Sequence, residues 1–202
     1  MTLIDTIDQA AIDRAVAYHG SLCPGLAVGI QAARLALAEV GRADEQNKVV
    51  AVAETDICAI DAIQAIVGTT VGNRNLIVQD WGKNAFTFFR LTDGKAVRVT
   101  GRPAWAAEYQ ALRAKVQAGL ATAEEVERFK ASNQAEVERI LSLPPEELYE
   151  VQAISAAPPR TSQVDTWITC TGCGETVMES RTRLRRGQAF CVPCFEAARA
   201  AA

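Results

Sequence analysis

Four cysteines near the C-terminal end, in C170-T-G-C173 and C191-V-P-C194, carry the plainest chemistry of this chain. Each pair offers two thiolates from one tight turn, and two such knuckles separated by seventeen residues complete a tetrahedron around Zn²⁺. A site closed by Cys170, Cys173, Cys191 and Cys194 leaves no position for substrate. The expectation is therefore a structural zinc that organises a small module, and a search for reactivity turns to the other two cysteines.

The single histidine, His19, stands four residues before Cys23 in H19-G-S-L-C-P-G25. Cys23 directly precedes Pro24 at a helix N-terminus, where unpaired N–H groups and the helix dipole favour a thiolate. Its plainer reading is a small buried hydrophobe. In E54-T-D-I-C-A-I-D-A-I-Q64, Cys58 falls in the first turn of a helix that follows a strand, with Asp61 and Gln64 three apart on one helical face. Glu54, a carboxylate closing a buried strand, needs a partner. The segment G68-T-T-V-G-N-R-N75 is glycine-punctuated and polar, suited either to backbone approaching a ligand or to a turn. Asp80, Lys83 and Asn84 lie on a connection between strands, either solvated or aimed into the same cleft.

The elements that must position these groups follow from periodicity and caps. Residues 5–19 have the apolar spacing of an amphipathic helix ended by Gly20, and Pro24 opens a second helix, apolar nearly all round, closed by Gly41. K48-V-V-A-V-A-E54 reads as a buried strand, after which Thr55 or Asp56 caps a helix through about Val67. Residues 75–79 and 84–91 read as strands, and the Asp93-Gly94 turn joins the latter to A96-V-R-V-T100 as a hairpin. From Pro103 to Leu143 the pattern is two helices, the second opened by a capping box of Thr122 and Glu125 and stopped by Pro144-Pro145. Y149-E-V-Q-A-I154 adds a strand. Val116, Leu120, Val126, Phe129, Val137, Ile140 and Leu141 give the helical pair an apolar stripe that needs cover. These elements predict an α+β domain over 1–154 with a helical extension at 103–148, a linker at 155–163 and a zinc module at 164–202.

With 202 residues and 49% hydrophobic content the chain can bury a real core. The N-terminus carries acidic residues where a secretory signal would be basic, and no stretch reaches ~18 uninterrupted apolar residues. A cytoplasmic location away from the membrane is expected, where paired cysteines serve as metal ligands or redox groups. The net charge of −3 divides into +2 for residues 160–202 and −5 for the rest, which argues against nucleic-acid binding by the main body. The basic strand R181-T-R-L-R-R186 is too small a charge to neutralise many phosphates.

Taken together, H19-G-S-L-C-P-G, E54-T-D-I-C-A-I-D-A-I-Q, T70-V-G-N-R-N-L and D80-W-G-K-N-A-F-T-F closely resemble the FmdE family, named for a component of formylmethanofuran dehydrogenase. The resemblance implies an α+β core, a homodimer with the helical extension near its interface, and a treble-clef zinc finger. It also implies an association with a molybdenum or tungsten oxidoreductase and its subunits. His19 and Cys23 stand at the family's HxxxCPG positions and Cys58 at its ETxxCxxD cysteine. Members often carry a cysteine where this chain has Thr69 and Thr70. The candidate catalytic set is His19, Cys23, Glu54, Cys58, Asp61, Asp80 and Lys83, with Gly72, Asn73 and Asn75 as candidate cofactor-binding residues. His19, Cys23 and Cys58 suit a second metal ion with an open position, a metal in transit to a partner enzyme, or a reversible Cys23–Cys58 disulfide.

Overall fold

Asp8 starts the first helix, because its carboxylate accepts the Ala11 N–H at 2.8 Å and so satisfies an otherwise orphaned donor. Helix α1 therefore runs Gln9–His19, shorter than the 5–19 expected, and Gly20 closes it at φ 95°. The computed structural model describes residues 7–102, 105–159 and 166–200. Pro103, the N-terminal residues 1–6 and the linker residues 160–163 lie outside that description. The chain divides into two units, Met1–Thr161 and Ser162–Ala202.

Helix α2, Pro24–Val40, is buried along most of its length, as its all-round apolar sequence requires. Its last carbonyl, Val40 O, accepts from Asn47 Nδ2 at 2.9 Å, and the same amide donates to Arg42 O beyond the helix end at 2.8 Å. Strand β1, Val49–Ala53, is buried throughout. The next helix begins later than expected: α3 is Ala59–Ala62, continuing as a π-helical turn over Ile63–Val67. Neither Thr55 nor Asp56 caps it. The Glu54 carbonyl instead accepts the Trp81 and Lys83 N–H groups, which keeps the chain tied to the sheet past the end of β1, and Cys58 takes the N-cap position without a side-chain cap bond.

Strands β2 (Leu76–Val78), β3 (Ala85–Arg90), β4 (Ala96–Gly101) and β5 (Tyr149–Ala153) complete one sheet of order β2-β1-β3-β4-β5. Within this sheet the β1–β2 pair is parallel and the other pairs are antiparallel. The β3–β4 hairpin pairs Phe88 with Val97, and β4–β5 pairs Val99 with Val151. Alternation along β1 sends Val49, Ala51 and Ala53 to the main core under α2, while Val50 and Val52 join Phe89 and Ala96 in a smaller cluster. Helices segregated from a mostly antiparallel sheet make this an α+β fold.

Helices α4 (Ala107–Gln117) and α5 (Ala123–Ser142) form the extension, and the Thr122–Glu125 capping box is present in both directions. The apolar stripe is covered within the chain over part of its length. Val137 and Ile140 are buried in the core, with α5 packed on α2, and Gln31 of α2 donates to Ile140 O and Leu143 O at 2.6 and 2.8 Å. Those bonds satisfy the carbonyls that a helix C-terminus leaves free. Further along, Val116, Val126 and Phe129 are half-buried and Leu120 is 77% exposed. A single turn, α6 (Pro145–Leu148), leads into β5.

The second unit pairs β6 (Trp167–Thr169) with β7 (Thr176–Met178) and β8 (Thr182–Arg185) with β9 (Gln188–Cys191), and ends in α7 (Val192–Ala200). The β8–β9 turn places Arg186 and Gly187 at φ 52° and 77°, the pair of positive φ values that a two-residue hairpin turn demands. Among the described residues no helix is long and apolar enough to cross a membrane.

Candidate functional site

Two groups of metal-ligating atoms exist among the described residues, and in each every ligand atom lies within 4.8 Å of the others. One is Cys170, Cys173, Cys191 and Cys194. The other is His19, Cys23 and Cys58.

In the first, Cys170 and Cys173 flank the turn between β6 and β7, Cys191 ends β9, and Cys194 lies in the first turn of α7. The Cys191 and Gly172 N–H groups donate to Cys170 Sγ at 3.2 and 3.4 Å, which favours a thiolate there and holds its pKa down to about 6. The Cys194 thiol is pushed up to about 12, chiefly by its neighbour Cys191. Four sulfurs this close cannot all ionise unless a cation balances them, and all-sulfur tetrahedral coordination is what Zn²⁺ accepts. Gly172 is part of the fit, since a Cβ there would stand 2.9 Å from Cys194 Cβ.

The second group forms where the starts of two helices meet. Cys23 is the N-cap of α2, and its sulfur accepts the Leu26 N–H at 3.3 Å. His19, on the last turn of α1, places Nε2 3.5 Å from Cys23 Sγ. Its other nitrogen, Nδ1, donates to Asp61 Oδ2 at 2.6 Å, which fixes the ring and leaves the Nε2 lone pair for a ligand or a proton. Gln64 donates to Asp61 Oδ1 at 3.5 Å and accepts the Val71 N–H at 3.4 Å, linking the carboxylate to the glycine-punctuated loop. Burial and the adjacent Cys23 push the Cys58 thiol up from its ordinary value. The structure thus brings together His19, Cys23, Cys58 and Asp61, all half-buried.

Glu54 is 3% exposed and its carboxylate is held by Arg98 of β4, with Oε2 2.8 Å from Nη2 and Oε1 bonded to Nη1. Lys83 adds a weaker contact at 4.0 Å while its ammonium rests 5.5 Å from the Trp81 ring centroid. The sequence does not mark Arg98 as the partner, because nothing local in A96-V-R-V-T100 aims its side chain at a strand end over forty residues earlier. Asp80 is exposed and accepts the Gly82 N–H at 3.1 Å within its own turn. Asn75 braces the loop through Thr70 N–H and Val49 O, Asn73 N–H bonds Thr70 Oγ1, and Gly72 faces open space. Asn73 and Asn75 border a cleft of ≈ 450 Å³ whose other walls include Asp44, Glu45 and Lys48, none of them a member of the His19 cluster. Thr69 is fully buried and its hydroxyl has no hydrogen-bond partner.

A family model described as FmdE, molybdenum formylmethanofuran dehydrogenase operon, matches residues 18–150. A second, described as the prokaryotic dksA/traR C4-type zinc finger, matches residues 166–199. A protein of Archaeoglobus fulgidus named a probable S-adenosyl-L-methionine-binding protein is 29% identical over 192 residues, which are 90% of this chain and 51% of that one. The chain thus spans about half the length of this relative. The crystal structure of a tungsten formylmethanofuran dehydrogenase FmdE-like protein from Syntrophus aciditrophicus superposes with a TM-score of 0.58 at 21% identity, over 94% of this chain and 92% of that one. At that identity the likeness shows the fold.

Two outcomes follow. Cys173→Ser should abolish zinc binding and ordered structure in the second unit while the first keeps its melting transition, because small zinc modules draw their folding energy from the metal; full zinc retention by the variant would contradict the four-sulfur site. Arg98→Met should cost about 3 kcal/mol at pH 7 by leaving a buried carboxylate with only Lys83 nearby. Arg98 holds the Glu54 carboxyl below the usual carboxylate range, so its stabilisation is present above pH ~4.3 and is lost as pH falls through the depressed value. Without Arg98, burial raises that carboxyl instead. The penalty measured by urea unfolding should shrink as pH drops from 7 toward 4, and a pH-independent penalty would mean that Glu54 is not the charge being compensated.

Proposed function

Because the chain belongs to the FmdE family, we propose that it is a metal-binding accessory of a molybdenum- or tungsten-dependent oxidoreductase, with a second metal ion held by His19, Cys23 and Cys58 in its core domain. The supporting observation is the convergence of one imidazole and two thiols within 4.8 Å, with the imidazole oriented by Asp61. One imidazole and two thiolates are a donor set that would suit Zn²⁺, which held by His19, Cys23 and Cys58 would supply Lewis-acid polarisation of a bound group.

The chain's own residues prepare this site in definite ways. Asp61 keeps the proton on His19 Nδ1, so that Nε2 is presented unprotonated. The Leu26 N–H donates to Cys23 Sγ at 3.3 Å and holds the sulfur at the start of α2. Two adjacent thiolates repel one another, which is one reason the Cys58 thiol is raised without a cation and a reason a cation would be taken up. Half-buried ligands with one open position also suit transfer of the metal to a partner subunit, and the assignment as an accessory covers that use. The second unit reads as a treble-clef finger with a structural zinc, since its ligands come from a hairpin turn, a strand end and a helix start. The protein works in the reducing cytoplasm, where its six thiols stay available.

Elemental analysis of zinc-reconstituted protein should give two ions per chain, falling to one in His19→Ala or Cys58→Ser. A single zinc in the wild type would sink the second site. A second copy of the chain is the proposed cover for the distal end of the extension, where Leu120 is exposed and Val116, Val126 and Phe129 are half-buried. Sedimentation equilibrium at micromolar concentration should then show twice the 21.7 kDa chain mass, and Leu120→Asp should weaken association at least tenfold. A wild-type monomer under those conditions would rule the dimer out.

A further inference from the structure

We propose that Cys23 is also the nucleophile of a thiol–disulfide exchange reaction, with Cys58 as its resolving thiol and a low-molecular-weight disulfide as the oxidant. The inference rests on reading His19, Cys23 and Cys58 as one site, and it assigns that site an activity that metal binding alone does not require.

The arrangement is asymmetric in a way that gives each sulfur a role. Cys23 heads the seventeen-residue helix α2, receives the Leu26 N–H at 3.3 Å and faces His19 Nε2 at 3.5 Å. With Asp61 holding Nδ1 at 2.6 Å, Nε2 is the imidazole lone pair that can accept the Cys23 proton. The same order of thiol, imidazole and orienting carboxylate activates cysteine nucleophiles generally. Cys58 has no side-chain cap bond at its helix start. Its sulfur lies within 4.8 Å of Cys23 Sγ, a gap that side-chain rotation must close to the ~2.05 Å of a disulfide. Gly25 leaves the room: a Cβ at that position would stand 3.1 Å from Cys58 Cβ, 3.4 Å from Cys58 Sγ and 3.8 Å from Cys23 Sγ.

The chemistry balances in two steps. His19 Nε2 takes the Cys23 proton, and the thiolate attacks a disulfide RSSR, forming Cys23–S–SR and releasing RS⁻, which leaves as RSH with the proton from His19. Cys58 then loses its proton to the vacated Nε2 and attacks Cys23 Sγ, giving the Cys23–Cys58 disulfide and a second RSH. Two protein thiols are oxidised and one small disulfide is reduced to two thiols. Since the product disulfide uses two of the three ligands of the core site, oxidation and metal occupancy exclude each other.

The test uses the reduced full-length chain, with and without added Zn²⁺, and oxidised glutathione as the probe. Trypsin separates the two cysteines into peptides 15–34 and 49–74. Mass spectrometry after acid quench and alkylation should find these peptides joined, two hydrogens short of the sum of their thiol forms. Cys58→Ser should trap the glutathionyl adduct on peptide 15–34, Cys23→Ser should leave peptide 49–74 unmodified, and His19→Gln should slow adduct formation at least tenfold. Joined peptides with a preference for Cys23 support the proposal. Unjoined peptides, or adducts spread equally over both cysteines, overturn it. Added Zn²⁺ should slow the reaction at least tenfold; exchange that proceeds unslowed in the wild type would uphold the thiol chemistry and overturn its exclusion by metal, separating the failure of the metal reading from that of the exchange.

Discussion

The close approach of α2 to the start of α3 is the constraint on which the core site depends. A Cβ at Gly29 would stand 2.5 Å from Ala59 Cα and 2.6 Å from its carbonyl oxygen, so the two helices touch backbone to backbone there. One helical turn earlier, Gly25 faces Cys58. Glycines four residues apart form a flat strip on α2, and only along such a strip can the N-terminus that carries Cys23 lie beside the one that carries Cys58. Any side chain at Gly29 pushes the two starts apart and separates the sulfurs. What looks like a property of two cysteines is thus set by two residues with no chemistry of their own.

The sheet fixes the other side of that contact. The loop carrying Cys58 leaves β1 at Glu54, whose carbonyl is bonded by Trp81 and Lys83 N–H groups and whose buried carboxylate is held by Arg98. A buried charge with two guanidinium bonds has few alternative positions, because each would leave it unpaired at a cost of several kcal/mol. The chain between Glu54 and Cys58 therefore starts from a fixed point, and the π-helical turn at Ile63–Val67 lets it return to the loop at Gly68. Asp61 and Gln64 lie on either side of the point where that turn begins, which is how one carboxylate reaches both His19 and Gln64.

How much of this is legible in the sequence depends on the distance over which each signal acts. The four-sulfur site is readable because its spacing is local and knuckle geometry is stereotyped. Pairing within the β3–β4 hairpin is readable from Asp93-Gly94, and the Thr122–Glu125 box marks the start of α5. The start of α3 is not, because Thr55 is a good capping residue by type, yet it is buried just beyond the end of the interior strand β1, and tertiary bonds to Glu54 outweigh a single cap. The stripe on α5 is real, but periodicity cannot say which surface covers it; Gln31, a polar residue in an apolar helix, is the one hint that α2 does. The strip Gly25-x-x-x-Gly29 is present in the sequence as spacing, but a glycine after Pro24 is ordinary helix-start composition and does not announce a contact with a helix thirty residues away.

The two cysteine sites of this chain differ in a way that follows from their ligand sources rather than their ligand types. In the zinc module the sulfurs come from a turn, a strand end and a helix start packed within about twenty-five residues, so losing the ion costs the fold of that unit and the ion has no reason to leave. In the core domain His19, Cys23 and Cys58 ride on α1, α2 and the start of α3, elements fixed by an apolar core. Their geometry persists whether or not the position between them is filled. A cluster whose scaffold is independent of any occupant is free to change its chemical state without unfolding, which the four sulfurs of the zinc module are not.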